Sequence, residues 1–189
     1  MLNLLSVQAI AALAQARKPA FKVPWHPALM QYASFYSDAV VGCTLADPCM
    51  LAAIVNRESG GQNILQEGMA PGLNCGVGVC QITAGVSWTE IASPSYPGIP
   101  GSLLDPKTNL YVAAHYFLEP ALERFPDNHV AAFAAYNLGS SGVSTELAEG
   151  LSPDSWTTGN NYGASVFQDW INFVAASIGE NVDWASYKG

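Results

Sequence analysis

The stretch Asp47-Pro48-Cys49-Met50-Leu51-Ala52-Ala53-Ile54-Val55-Asn56-Arg57-Glu58-Ser59-Gly60-Gly61 carries both ends of a helix and an acid within it. Asp47 has the side chain of an N-cap, and Pro48 fits the first turn, where a backbone N–H is not needed. Met50, Leu51, Ile54 and Val55 supply an apolar side, and Gly60-Gly61 stops the helix. Glu58 stands four residues after Ile54, three after Val55 and seven after Leu51, so these positions share one face while Arg57 points elsewhere. A carboxyl at the end of an apolar face loses water, which disfavours its charged form and raises its pKa. On its own, the pattern also fits a helix-terminal Glu that faces solvent.

Downstream, residues 60–103 hold nine glycines and four prolines, which predicts a long irregular region with a short hairpin around Val77 to Thr83. Irregular stretches of this length inside a compact domain are usually functional. Asp105-Pro106 repeats the helix-start signature, and Leu110, Ala113, Ala114, Phe117, Leu118 and Ala121 form an apolar stripe behind it. Pro120 is expected to kink that helix near its end. A short helix is expected over about 128–137, then a polar loop rich in Ser, Thr, Gly and Asn. A strong last helix over about 164–178 has Val166, Phe167, Trp170, Ile171, Val174 and Ile178 on one wide face.

Upstream, a helical stretch is expected from about 28 to 41, behind a linker at 17–27 with three prolines. Residues 1–16 are mostly apolar and end in Ala14-Gln15-Ala16. They read either as a retained N-terminal helix or as a signal peptide without the usual basic start. They are too short to span a bilayer, which takes about 20 apolar residues. The chain is thus read as mainly α, with an N-terminal segment and linker at 1–27 and one domain at 28–189.

Seven basic against fifteen acidic residues give a net charge of −8. Nucleic-acid binding needs a basic face to displace counterions, and no basic cluster occurs, so nucleic acid is not an expected partner. Stable membrane insertion is not expected either. The four cysteines form two local pairs, Cys43 with Cys49 and Cys75 with Cys80. Local disulfides, which would place the protein outside the reducing cytosol, stand beside free thiols as the two main readings. Neither the cysteine spacing nor the scattered histidines suggests a metal site, and no cofactor is called for.

After Glu58-Ser59-Gly60-Gly61 come Gly76-Val77-Gly78-Val79-Cys80-Gln81-Ile82-Thr83, then Leu104-Asp105-Pro106-Lys107-Thr108-Asn109, then Ala134-Ala135-Tyr136-Asn137-Leu138-Gly139. In this order and spacing, over about residues 45–175, the set resembles the soluble lytic transglycosylase (SLT) family, which shares the goose-type lysozyme fold. The resemblance implies a lysozyme-like helical domain with an irregular loop or small hairpin at its cleft. It matches Glu58 to the catalytic acid/base and Ser59 to the residue that helps fix the helix end. Gln81 matches the glutamine that contacts the sugar, Tyr136 the tyrosine whose hydroxyl lies close to the catalytic carboxyl, and Asn137 the asparagine shaping that corner. Tyr162 looks like a late tyrosine that approaches the active site. The chain departs from the pattern at Cys80, where the family usually has Met.

The implied substrate is peptidoglycan, cut at the β-1,4 bond between N-acetylmuramic acid and N-acetylglucosamine. A conventional glycosidase needs two carboxylates. Between Glu58 and Gln81 the other acid is Glu67, so a non-hydrolytic reaction giving a 1,6-anhydro product is expected. A hydrolytic muramidase using Glu67, or an inactive glycan-binding protein, are the alternatives. The setting expected is extracytoplasmic, in a bacterial envelope or a phage virion assembly. Trp88, Tyr96 and Trp156 are loop aromatics that could stack on sugars or plug the core, while His115 and Trp170 read as packing residues.

Overall fold

The computed structural model of the protein describes residues 4–66, 75–84 and 101–186. Its central helix, α4 (Pro48–Ser59), begins and ends as its sequence dictates. Asp47 Oδ1 accepts from the N–H groups of Cys49 (2.7 Å) and Met50 (3.0 Å), and Gly60 closes the helix at φ 61°. The other carboxylate oxygen, Oδ2, accepts from Trp170 Nε1 at 2.8 Å. Trp170 belongs to the last helix, α9 (Tyr162–Ile178), so one buried carboxylate both caps α4 and ties it to α9. Burial pushes the Asp47 carboxyl up to about 6, against the lowering effect of these hydrogen bonds.

Before α4 lie β1 (Leu4–Ser6), α1 (Val7–Arg17), α2 (Pro27–Met30) and α3 (Ala33–Ala39). The single stretch expected over 28–41 is therefore two helices, broken where Tyr32 leaves helical geometry at ψ 10°. The N-terminal segment shares the main core: Val7, Ile10, Ala14, Phe21 and Val23 are buried with the rest. β1 pairs in parallel with β5 (Asn181–Asp183), joining the two ends of the described chain.

The irregular region contains a three-stranded antiparallel sheet, ordered β2 (Ile64–Leu65), β3 (Cys75–Gly78) and β4 (Ile82–Ala84). The expected hairpin is β3–β4, with Val77 opposite Ile82. Then follow α5 (Pro106–Val112), a π-helical segment at Ala113–Leu118, and α6 (Glu119–Arg124). The wider π turn comes just before Pro120, and the helical path continues past the proline to Arg124. α7 (His129–Leu138) follows, and then α8 (Ser140–Ala148) occupies what the sequence suggested was a polar loop. Packing overrides composition there: Val143 is fully buried and α8 lies against α7. α7 and α9 cross closely at Gly163, where any side chain would strike the backbone of Val130 and Ala134. Among the described residues, no helix is long and apolar enough to cross a membrane.

Candidate active site

Glu58 occupies the last turn of α4, half-buried at the wall of a cavity of about 450 Å³. The hydroxyl of Tyr162, the first residue of α9, donates to Glu58 Oε1 at 2.5 Å. Burial raises the Glu58 pKa above the usual carboxylate value, while the Tyr162 hydrogen bond and the nearby Arg57 charge act in the opposite direction. Tyr162 is itself held well above its ordinary pKa, first by burial and then by the Glu58 charge, so it serves as a donor and not as a phenolate.

Arg57 also faces the cavity, a position the sequence reading did not assign it. Its guanidinium lies 5.6 Å from the Tyr162 ring centroid, and Nη2 donates to Thr158 O (3.2 Å) and Asn161 Oδ1 (3.0 Å). It therefore holds the turn that presents Tyr162. Adjacency to Glu58 was the available signal, but helical spacing alone turns neighbouring side chains apart.

Ser59 fastens the end of α4 to the β3–β4 turn: its hydroxyl donates to Val79 O at 2.7 Å and accepts from Gly61 N at 3.2 Å. Gln81 sits in the β3–β4 turn at φ 47°, and it lines the cavity. Its Nε2 donates to Gly78 O (2.7 Å) and Ile64 O (3.1 Å), so the amide braces the sheet as well as facing the cleft. Beneath it, Asn109 is fully buried. Its Nδ2 donates to Val77 O and Leu103 O, both at 2.9 Å, and its Oδ1 accepts from Cys80 N at 2.9 Å. Gly78 adopts φ 76°, and a side chain there would collide with this amide. Asn109 was visible in the Asp-Pro-x-x-Asn motif, but its role as the anchor of the hairpin was not.

Both tyrosines line the cavity with Glu58: the Tyr162 hydroxyl bonds the carboxyl, and the Tyr136 hydroxyl donates to Cys80 O at 3.0 Å. Phe117 lies beside Tyr136 at a ring-centroid distance of 5.8 Å. Asn137 shapes the adjoining wall by accepting from Thr158 N at 3.0 Å. Among the described residues lining this cavity, Glu58 is the one carboxylate. Glu67, Trp88 and Tyr96 lie outside the described residues.

The cysteine pairings are corrected, because all four thiols are free. Cys43 faces His115 at 3.7 Å, whereas Cys49 turns into the core beside Ser177 Oγ at 3.7 Å. Cys75 pairs with Ala84 at the open end of the hairpin while Cys80 lies in its turn. At about 3.3 Å per strand residue, that separation exceeds the span of a disulfide. Cys80 is fully buried, and its thiol lies beside the Tyr136 hydroxyl and within reach of the Glu58 charge. His115 stacks on Tyr111 at 4.1 Å, and Trp170 is core. Trp156 is exposed and outside the cavity lining. Among the described residues, no three His, Cys, Asp or Glu side chains gather as a metal site would require.

Comparison with known proteins agrees with this geometry. The chain is 38% identical over 72 residues to the soluble lytic murein transglycosylase of Escherichia coli K12, and equally to that of strain O157:H7. The match takes in 37% of this chain but 11% of each relative, so the chain spans a small part of their length. The fold resembles the 70 kDa soluble lytic transglycosylase of Escherichia coli, with a TM-score of 0.60 and 17% identity over 96% of this chain and 32% of that one. It also resembles an inactive variant of the lytic transglycosylase Slt of Pseudomonas aeruginosa, with a TM-score of 0.57 and 20% identity over 95% and 32%. The fold is thus the mainly helical, lysozyme-like one of these enzymes. A sequence model of the transglycosylase SLT domain matches residues 44–157, more than half of the chain and the span holding Glu58, Gln81 and Tyr136, and the protein belongs to that family.

Proposed function

We propose that the protein is a peptidoglycan-cleaving lytic transglycosylase in which Glu58 acts first as acid and then as base. The observation that carries this reading is a single desolvated carboxyl on the cavity wall, bonded to Tyr162, with no other carboxylate among the described lining residues. A carboxyl with a raised pKa can still hold a proton near neutral pH, and cleavage requires one for the leaving oxygen. In this reading Glu58 gives that proton to the oxygen linking N-acetylmuramic acid to N-acetylglucosamine. The substrate's own N-acetyl group stabilises the cationic carbon. The ionised Glu58 then removes the proton of the muramic 6-hydroxyl as that oxygen closes on C1. One glycosidic bond breaks, one ether bond forms, and no water is consumed.

Tyr162 and Arg57 set when Glu58 ionises, since both favour its charged form. Tyr136, Gln81 and Asn137 hold the walls against which the sugar would sit. Peptidoglycan lies outside the cytoplasm, and the enzyme would act there. With a net charge of −8, the protein has no electrostatic attraction to an anionic wall. Delivery by an envelope or phage virion assembly fits that balance.

Glu58→Gln tests the reading. The amide keeps the shape of the acid but cannot donate and retrieve a proton, a role worth ~10²–10⁴-fold in rate. Circular dichroism should be unchanged while clearing of cell-wall suspensions falls by that factor. Activity within a few-fold of the parent would remove Glu58 from the mechanism.

A further inference from the structure

A second cavity, of about 760 Å³, opens where the two ends of the described chain meet. Trp25 and His26, just before α2, form one side, and Trp184, just after β5, forms another. The floor is a stripe of α9 in which Asp169, Asn172 and Phe173 stand at i, i+3 and i+4. α4 contributes Asn56, the neighbour of Arg57. Of these residues only Asn56 falls in the family-matched span 44–157, so the cavity is largely built by parts of the chain outside it.

Its polar groups are organised. The His26 ring nitrogen Nε2 lies 3.0 Å from Asn56 Oδ1, an acceptor, so the imidazole donates. Asn56 Nδ2 in turn donates to Asp169 Oδ2 at 2.8 Å. Trp184 Nε1 donates to Asn172 Oδ1 at 3.1 Å, which orients that indole. Trp25 is 66% exposed at the cavity's edge. The lining therefore combines two indoles and a phenyl ring with a fixed row of amides and two carboxylates, Asp169 and Glu180.

We propose that this cavity binds a neutral segment of a glycan strand. A fully apolar ligand would strip water from the polar atoms of Asp169 and Asn172 other than Oδ2 and Oδ1, which already take part in bonds within the lining. An anionic ligand would meet Asp169 and Glu180, and no Lys or Arg lines the cavity among the described residues. A sugar ring satisfies both halves of the lining, because its C–H face lies on indole and its hydroxyls meet amide and carboxylate groups. Position supports the same ligand. Tyr162 and Asp169 are seven residues apart on α9, so they share a face and are separated by about 10 Å along the axis. Arg57 bears electrostatically on both Glu58 and Asp169. The adjacent residues Arg57 and Asn56 line one cavity each, so a strand held in the second would raise the local concentration of substrate at the first. The identity of the glycan rests on the function proposed above, and the test separates the two ideas.

The probe is chitohexaose, a neutral N-acetylglucosamine oligomer, titrated into the full-length Glu58→Gln variant with detection of Trp indole N–H signals by NMR. The Trp25 and Trp184 signals should shift together and saturably. Trp25→Ala should abolish the Trp184 shift, Trp25→Phe should restore it, and shifts of backbone amides around Gln81 and Asn137 should persist in both. On intact walls, Trp25→Ala with Glu58 restored should lose roughly tenfold in activity relative to its activity on a short soluble glycan. Cleft shifts without indole shifts would overturn this proposal and leave the active-site reading standing. Indole shifts without cleft shifts would do the reverse. A Trp184 response to an acidic or apolar peptide but not to chitohexaose would also overturn the proposal.

Discussion

The Tyr162 hydroxyl and the Glu58 carboxyl, 104 residues apart in sequence, meet in a hydrogen bond of 2.5 Å. This bond favours the ionised form of Glu58 and opposes the effect of burial. Tyr162→Phe removes it without removing the ring, so the Glu58 pKa should rise further. The alkaline limb of the kcat/KM profile, where Glu58 loses its proton, should then move to higher pH. Measuring that profile for both proteins checks the assignment; superimposable limbs would mean that Tyr162 does not tune Glu58.

Arg57 acts on the same pair through charge and through the turn that carries Tyr162. Arg57→Met should likewise raise the Glu58 pKa. It should also lower stability by about 1 kcal/mol, the scale of a cation–π contact or a net hydrogen bond. Urea denaturation and the pH profile should report both changes in the same variant; a change in stability alone would confine Arg57 to packing.

Much of this arrangement was legible in the sequence, and the reasons are local. Asp47, Pro48 and Gly60 mark the ends of α4, and the spacing of Leu51, Ile54 and Val55 places Glu58 on its buried face. What was missed depends on contacts between distant segments. The bond from Tyr162 to Glu58 depends on how α9 packs against α4, which no spacing encodes. α8 looked like a loop because Ser140, Ser141, Gly142 and Thr145 are poor helix formers, yet burial of Val143 outweighs them. The cysteines looked paired because they are close in sequence, but strand register and helix orientation decide where each thiol points.

That correction has its own test. Alkylation of the folded protein under non-reducing conditions, followed by unfolding and peptide mapping, should find Cys43, Cys49, Cys75 and Cys80 all as thiols. The denaturation midpoint should not change with reductant. A Cys43–Cys49 or Cys75–Cys80 linked peptide in protein from its native source would contradict the structure.

Asp47 should leave a signature in the pH dependence of stability. Its folded-state pKa is raised to about 6 from 3.8, so the folded protein binds this proton more tightly than the unfolded chain does. The associated stabilisation is fully present below about pH 4 and is lost as pH rises through about 6, a loss of up to about 3 kcal/mol. Asp47→Asn cannot titrate. The stability difference, parent minus variant, should therefore fall between pH 4 and pH 7 in denaturant titrations, and a difference independent of pH would refute the linkage.

Asn109 should behave as the anchor of the hairpin. Asn109→Ala leaves the buried Cys80 N–H and the carbonyls of Val77 and Leu103 without their partner. A loss of ~3 kcal/mol is expected, since each stranded buried group costs about 1–3 kcal/mol. A loss below about 0.5 kcal/mol in urea unfolding would show that the hairpin holds itself.

The central claim is that one carboxyl serves as both acid and base, and the product tests it most directly. Mass spectrometry of a peptidoglycan digest should find muropeptides ending in a 1,6-anhydro sugar, one water lighter than hydrolytic products and without a reducing end. Glu67→Gln should keep most of the activity, because the reaction has no second carboxylate to lose. Mainly reducing-end muropeptides, with activity abolished in the Glu67→Gln variant as in Glu58→Gln, would contradict the account and make the enzyme a muramidase.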